Sequence, residues 1–163
     1  MNIGVPKEPE GESRVAITPN SIKKLIKSGF SVHVESNAGQ ASNYLDADYE
    51  SVGATISSRK EVLACSTVIC IRFPGTDGIG NGCNVACVAD PFRNPEYVQQ
   101  CIDAGITLLS MDMIPRRLSR AQSMDVNSSQ DNLAGYKAVL LGAAHVPKGI
   151  PMMTPSAGTV QPA

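Results

Sequence analysis

The stretch Ile17-Thr18-Pro19-Asn20-Ser21-Ile22-Lys23-Lys24-Leu25-Ile26-Lys27-Ser28-Gly29-Phe30-Ser31-Val32-His33-Val34-Glu35 reads as a helix that gives way to a strand. Thr18 is a good N-cap and Pro19 suits the first helical position, where its missing N–H has no partner to lose. Ile22, Leu25 and Ile26 then fall on one face of a helix, and Ser28-Gly29 stops it. Ser31 to Glu35 alternates apolar and polar residues, as a strand does. With Ile3-Gly4-Val5 ahead of it as an earlier strand, the segment forms a βαβ unit, and such units build parallel sheets.

The same alternation extends along the chain. A short helix is predicted from Asp46 to Val52, ended by Gly53, then a weak strand Ala54-Thr55-Ile56 and a helix from Ser58 to Ala64. Further strands are predicted at Ser66 to Ile71, Asn84 to Ala89 and Ile106 to Ser110. Between the last two, Asn94-Pro95 repeats the cap-then-proline device, with Val98, Cys101 and Ile102 as the buried stripe and Ala104-Gly105 as the stop. Both cap-then-proline connections are expected to be helical crossovers. The fold class is therefore α/β, a parallel sheet flanked by helices. Glycines from Gly75 to Gly82 predict a flexible loop. They do not spell GxGxxG, and the strand that follows them lacks the helix N-terminus that would hold a pyrophosphate.

From Pro115 to Asn127 the chain is polar and aperiodic, after which Ser128-Ser129 can cap a helix through Leu133, Tyr136, Val139 and Leu140 to about Ala144. The remainder is rich in proline and glycine and reads as a linker, so residues 1–145 are expected to form the domain and 146–163 a connection to a further one. No internal repeat is visible.

Composition narrows the function classes. A chain of 163 residues, 42% hydrophobic and 18% charged, suits a globular domain with a continuous core. Its longest apolar runs, such as Ser66-Thr67-Val68-Ile69-Cys70-Ile71, fall well short of the roughly 20 residues needed to span a bilayer. The opening leads directly into a strand without a signal-peptide pattern, so the mature chain is expected to start at or near Met1. Fourteen Lys and Arg against fifteen Asp and Glu leave a net charge of -1, with no basic track for nucleic acid. The five cysteines, Cys65, Cys70, Cys83, Cys87 and Cys101, are odd in number and lie mostly in apolar segments, which suits core thiols in a reducing compartment. Cys83 and Cys87 lack a second ligand pair, so no metal site is expected.

Residues Met111-Asp112-Met113-Ile114-Pro115-Arg116-Arg117-Leu118-Ser119-Arg120-Ala121-Gln122-Ser123-Met124-Asp125, with Ser128-Ser129-Gln130-Asp131-Asn132-Leu133-Ala134-Gly135-Tyr136, closely resemble the NAD(P) transhydrogenase alpha-subunit family. Ile3-Gly4-Val5-Pro6-Lys7-Glu8 and Glu12-Ser13-Arg14-Val15-Ala16-Ile17-Thr18-Pro19 resemble the opening shared by transhydrogenases and alanine dehydrogenases, and Ala38-Gly39, Asp46, Tyr49 and Gly53-Ala54 add a third match. The resemblance implies a flavodoxin- or Rossmann-like N-terminal domain without the GxGxxG half, packed in the family against a Rossmann domain with NAD(H) in the cleft. That Rossmann half is expected to begin where residue 163 ends.

The resemblance also implies a nucleotide-contacting loop made by Arg117 (or Arg116), Gln122 and Asp125, with Ser128 and Tyr136 as further cleft positions. Gln122 and Asp125 are the residues expected at the reacting ring. Hydride would pass directly from NADH to NADP+, with Re/Si stereospecificity, and no proton need be abstracted, so positioning dominates. Read without the resemblance, the arginines are solvated surface, Asp125 a turn or capping residue, Ser128 an N-cap and Tyr136 a core side chain.

Further implied are NADP(H) on a partner component, a membrane component coupled to proton movement, a homodimer, and a location peripheral to an energy-transducing membrane on its cytoplasmic or matrix face. A fragment lacking the Rossmann half is expected to bind NAD(H) weakly and to be inactive alone. Two alternatives remain. In the alanine dehydrogenase reading Arg14 matches the arginine that binds the oxo acid, but Arg72 stands where that family has lysine, and Val85 to Asp90 offers no histidine. His33 and His145 are expected to be structural or superficial. The other alternative is a non-catalytic binding or dimerisation module.

Overall fold

In the computed structural model, which describes residues 1–161, six parallel strands form one sheet in the order β3-β2-β1-β4-β5-β6. The strands are β1 (Asn2–Val5), β2 (Ser31–Glu35), β3 (Thr55–Ser57), β4 (Thr67–Arg72), β5 (Asn84–Val88) and β6 (Thr107–Ser110). The helices are α1 (Pro19–Lys27), α2 (Asp46–Ser51), α3 (Arg59–Leu63), α4 (Pro95–Ala104) and α5 (Val126–His145). All strand pairs are parallel, with Ile3 beside Val32 and Thr67, and Val68 beside Val85. The chain divides into two compact units, Met1–Pro115 and Arg116–Ala163.

The first unit is doubly wound. Along β1, Ile3 and Val5 point to the face covered by α1 and α2, where they meet Ile22, Val32, Val34 and Tyr49. On the opposite face Val68 and Cys70 of β4 join Val85 and Cys87 of β5, Leu63 of α3 and Cys101 of α4. Right-handed crossovers require this division: winding β1-α1-β2-α2-β3 one way places its helices on one face, and returning through α3 to β4 places the rest on the other. Gly4 lies on the α3 side, and its missing side chain lets the Val62 carbonyl approach β1 closely.

The sequence-based expectations need several corrections. The link from β4 to β5 is a loop, as its glycines indicate, but it is held down rather than free. Ile79 is buried in the core, and Gly82 N–H donates to the Gly105 carbonyl at 2.8 Å. Positive φ at Gly75, Gly78 and Gly82 gives the loop its turns. In α4 the buried stripe is Cys101 with half-buried Tyr97, Val98 and Ala104. Ile102 is 66% exposed, because one residue past Cys101 is a rotation of about 100°. Thr18 and Asn94 occupy the cap positions without capping through their side chains. The Thr18 hydroxyl lies 3.4 Å from that of Ser21, and Asn94 Nδ2 donates to the carbonyls of Ala89 and Asp90. All five cysteines are free and buried, and burial pushes the thiols of Cys65, Cys83 and Cys101 up.

In the second unit, α5 runs through to His145, which is thus its last residue rather than a residue beyond it. The following segment is not wholly without structure: Met153 and Val160 exchange backbone hydrogen bonds in an antiparallel bridge. No helix is long and apolar enough to cross a membrane among the described residues.

Candidate functional site

Two groups of polar residues merit attention, one in each unit. In the second unit the chain from Arg116 enters a 3-10 turn at Gln122–Met124 and then α5. Asp125 is the N-cap of α5, correcting the expectation that Ser128-Ser129 would cap it. Its Oδ1 accepts from the Ser128 N–H at 3.0 Å and its Oδ2 from the Ser128 hydroxyl at 2.6 Å. Ser129 Oγ closes the turn by donating to the Asp125 carbonyl at 3.0 Å. The first of these bonds satisfies an N–H group that the first helical turn leaves open. Ser128, with both hydroxyl and amide directed at Asp125, holds its carboxyl below the usual carboxylate range, helped by Arg116.

The paired arginines are thereby distinguished. Arg116 lies 3.7 Å from the Asp125 carboxylate and 3.2 Å from that of Asp131, whereas Arg117 is exposed and has no ion-pair partner among the described residues. Gln122 is also exposed, and no hydrogen bond reaches its side chain among the described residues. Tyr136 is not a core residue: it is 68% exposed on a helix face that also carries Leu133, Val139 and Leu140, all exposed. The structure therefore brings Arg116, Asp125 and Ser128 into one network and leaves Arg117, Gln122 and Tyr136 open. Guanidinium, carboxamide and phenol groups without partners among the described residues are a donor and acceptor set that suits a nucleotide's amide, phosphates and hydroxyls.

The second group was not assembled from the sequence. A cleft of about 600 Å³ opens at the carboxyl ends of β4 and β5, lined by the loop Pro9–Glu12, by Arg72 and Phe73, by Val88 to Asp90, and by Asn94 and Tyr97 of α4. Glu12 is its hub. Arg14 reaches Glu12 through Nε at 2.7 Å and Nη2 at 2.5 Å, and Arg72 Nε adds a contact at 3.3 Å. The Arg14 hydrogen bonds hold the Glu12 carboxyl down at about 2. Arg14 is thus tied to the protein's own Glu12. Beside it, buried Glu8 accepts from the N–H of Ile71 at 2.6 Å and of Arg72 at 3.0 Å, and burial raises its carboxyl above the usual range against those two bonds.

Two acids placed just past β1, and Asp90-Pro91 just past β5, were the available signal, since open α/β sheets carry their sites at the carboxyl ends of the strands. His33 donates or accepts at Ser57 Oγ, 3.1 Å away, and neither histidine lines the cleft. Among the described residues no group of three or more histidine, cysteine or acidic side chains is arranged to hold a metal ion.

The family model described as alanine dehydrogenase/PNT, N-terminal domain, matches residues 4–134. An NAD(P) transhydrogenase alpha-subunit protein of Rhodospirillum rubrum is 41% identical over 100% of this chain and 45% of its own length. The crystal structure of transhydrogenase from Sinorhizobium meliloti superposes with a TM-score of 0.93 at 38% identity, covering 100% of this chain and 50% of that one. Alanine dehydrogenase of Bacillus subtilis is 31% identical over 91% of this chain and 40% of its own length. The chain spans about half the length of the relatives it matches.

Proposed function

The chain belongs to the alanine dehydrogenase/PNT N-terminal domain family, and on that premise we propose that it is a component of a proton-translocating NAD(P) transhydrogenase, helping to present NAD(H) for direct hydride transfer to NADP(H). The observation that carries the reading is the match to transhydrogenase over the whole chain at a TM-score of 0.93. In this reading residues 1–145 are the domain and 146–163 lead to a Rossmann half; the partners are the NADP-binding and membrane components, and the assembly is a homodimer peripheral to the membrane.

The nucleotide, when bound, supplies the hydride chemistry, and this chain's residues hold it in register. Arg117 offers a guanidinium for pyrophosphate or an amide carbonyl, and Gln122 can both donate to and accept from a carboxamide. Asp125 presents a carboxylate kept ionised by Ser128, while it also sets the start of α5, so its role is divided between helix and ligand. Tyr136 offers an exposed ring and hydroxyl from the third turn of the same helix.

The alanine dehydrogenase reading is weaker because oxo-acid reduction needs a proton donor beside the carbonyl, and the cleft offers no histidine among its lining residues. The reading as a non-catalytic docking module draws on one observation, that no residue of α5 is buried.

The test is a titration with NADH followed by nucleotide fluorescence, alone and after addition of a separately expressed Rossmann half. Binding that requires both halves and is weakened at least tenfold by Gln122→Ala is expected, with no turnover by the chain alone. Tight saturable binding to the isolated chain would overturn the division of labour. No binding by the associated halves would favour the docking module.

A further inference from the structure

The link from β4 to β5 carries a chemical feature that the nucleotide-binding reading does not use. Asn81 is the one asparagine in the sequence that is followed by glycine. Asparagine is chemically labile, and most so before glycine, because a residue without a Cβ leaves its main-chain nitrogen unhindered on the way to the carboxamide carbon. Asn81 and Gly82 are both exposed, in a turn just ahead of β5. They lie at the amino end of that strand, whereas the cleft opens at its carboxyl end.

The fold restrains both reacting groups through one residue, Gly105, the left-handed C-cap of α4. The Gly82 N–H donates to the Gly105 carbonyl at 2.8 Å. The Asn81 carboxamide lies against the Gly105 Cα, so close that a Cβ there would stand 2.5 Å from Nδ2, 2.9 Å from Cγ and 3.1 Å from Oδ1. A nitrogen whose proton is held by a carbonyl is a poor nucleophile, and a carboxamide packed on a neighbouring turn cannot swing freely toward it. Reaction therefore requires the link to lift from the turn between α4 and β6, a local opening that costs less than global unfolding. Asn20, Asn37 and Asn127 precede Ser21, Ala38 and Ser128, whose N–H groups are also hydrogen-bonded, each at 3.0 Å. There a Cβ adds to the protection, so Asn81 is the most reactive of the four.

We propose that Asn81 is a site of spontaneous deamidation, and that the reaction releases the β4–β5 link from the end of α4. The Gly82 nitrogen, its proton taken by water or hydroxide, bonds to Asn81 Cγ. The bond from Cγ to Nδ2 breaks, and the departing nitrogen takes a proton from water and leaves as ammonia. One water molecule then opens the resulting succinimide at either of its carbonyls, giving aspartate or isoaspartate, with no oxidant or reductant involved. Either product sets a carboxylate against the end of α4, where the last carbonyls carry partial negative charge and repel it. Isoaspartate also routes the main chain through one further carbon ahead of Gly82, which draws its N–H out of register with the Gly105 carbonyl. The change runs one way: the closed link protects Asn81, and the reacted link closes poorly.

The test is incubation of the full chain at mildly alkaline pH, folded and in urea, followed by peptide mass spectrometry that resolves residue 81 from Asn84. Asn81 is expected to convert before any other asparagine, to isoaspartate in excess of aspartate, and at least tenfold faster in urea than in the folded chain. Asn81→Gln should remove this early conversion. Asn81→Asp carries the charge without the extra carbon; it should unfold at lower urea than the parent at neutral pH, with the deficit shrinking as the carboxyl is protonated. Earlier reaction at another asparagine, or equal rates in the folded and unfolded chain, would overturn the site and its protection. Parent-like urea midpoints for both Asn81→Asp and the converted chain would overturn the release.

Discussion

Replacing Gly4 by alanine should destabilise the first unit through one contact. A methyl group at Gly4 would overlap the Val62 carbonyl oxygen and lie 3.0 Å from its carbonyl carbon and 3.1 Å from Cγ1. The obstacle is backbone of α3, which cannot rotate aside as a flexible side chain would. Val62 is itself fully buried, so α3 must lift from β1. Forcing an extra carbon into a packed core costs about 3 kcal/mol at the upper end of the usual range. Removing a strand glycine returns roughly 0.5–1 kcal/mol of backbone entropy. The net loss is therefore about 2 kcal/mol, or a fall in melting temperature of roughly 6 °C for a chain of this size. Urea unfolding followed by circular dichroism measures it, with an unchanged slope marking a true stability effect. Gly80→Ala is the control, since nothing lies within 4 Å of an added carbon there and its φ is not positive. A Gly4→Ala protein as stable as the parent would show that α3 does not press on β1 as described.

Glu12 and Asp125 give two further predictions. The folded state holds Glu12 at about 2, below its ordinary 4.5, so its contribution to stability is present above pH 4.5 and is lost as pH falls from there toward 2. A shift of that size would be about 3 kcal/mol at full value, and about 1 kcal/mol after solvent screening of an exposed arginine partner. Glu12→Gln should flatten the acid limb of a stability-against-pH curve, and an unchanged limb would refute the assignment. Asp125→Asn keeps an acceptor for the Ser128 amide and should retain the helicity of α5, whereas Asp125→Ala should lower it; equal circular dichroism for the two would contradict the capping role.

Much of the fold was legible because it depends on local chemistry. The period of Ile22, Leu25 and Ile26, the stop at Ser28-Gly29 and the alternation of Ser31 to Glu35 are consequences of neighbouring residues, and they located α1 and β2. The β4–β5 link is the loop its glycines signal, but glycines signal only freedom; the burial of Ile79 that restrains it comes from residues far along the chain. Ile102 departs for a related reason, as periodicity offers several neighbouring stripes and only contact with β6 selects one. Around the candidate loop, sequence likeness singled out Arg116, Arg117, Gln122 and Asp125 without saying which would be engaged by the protein itself. Geometry answered: Arg116 and Asp125 are tied into the start of α5, and Arg117 and Gln122 are open.

The sequence by itself determined the α/β class, the parallel sheet, most element positions and the family, because each follows from residue spacing or from ordered likeness along the chain. Only the tertiary structure decided the strand order, the division of the core between two sheet faces and the cleft that joins Glu12, Arg72, Asp90 and Tyr97. Those residues are separated along the chain and share no local signal. Their meeting depends on parallel strands ending on the same side and on crossovers of one hand, which are properties of the packed chain and not of any segment.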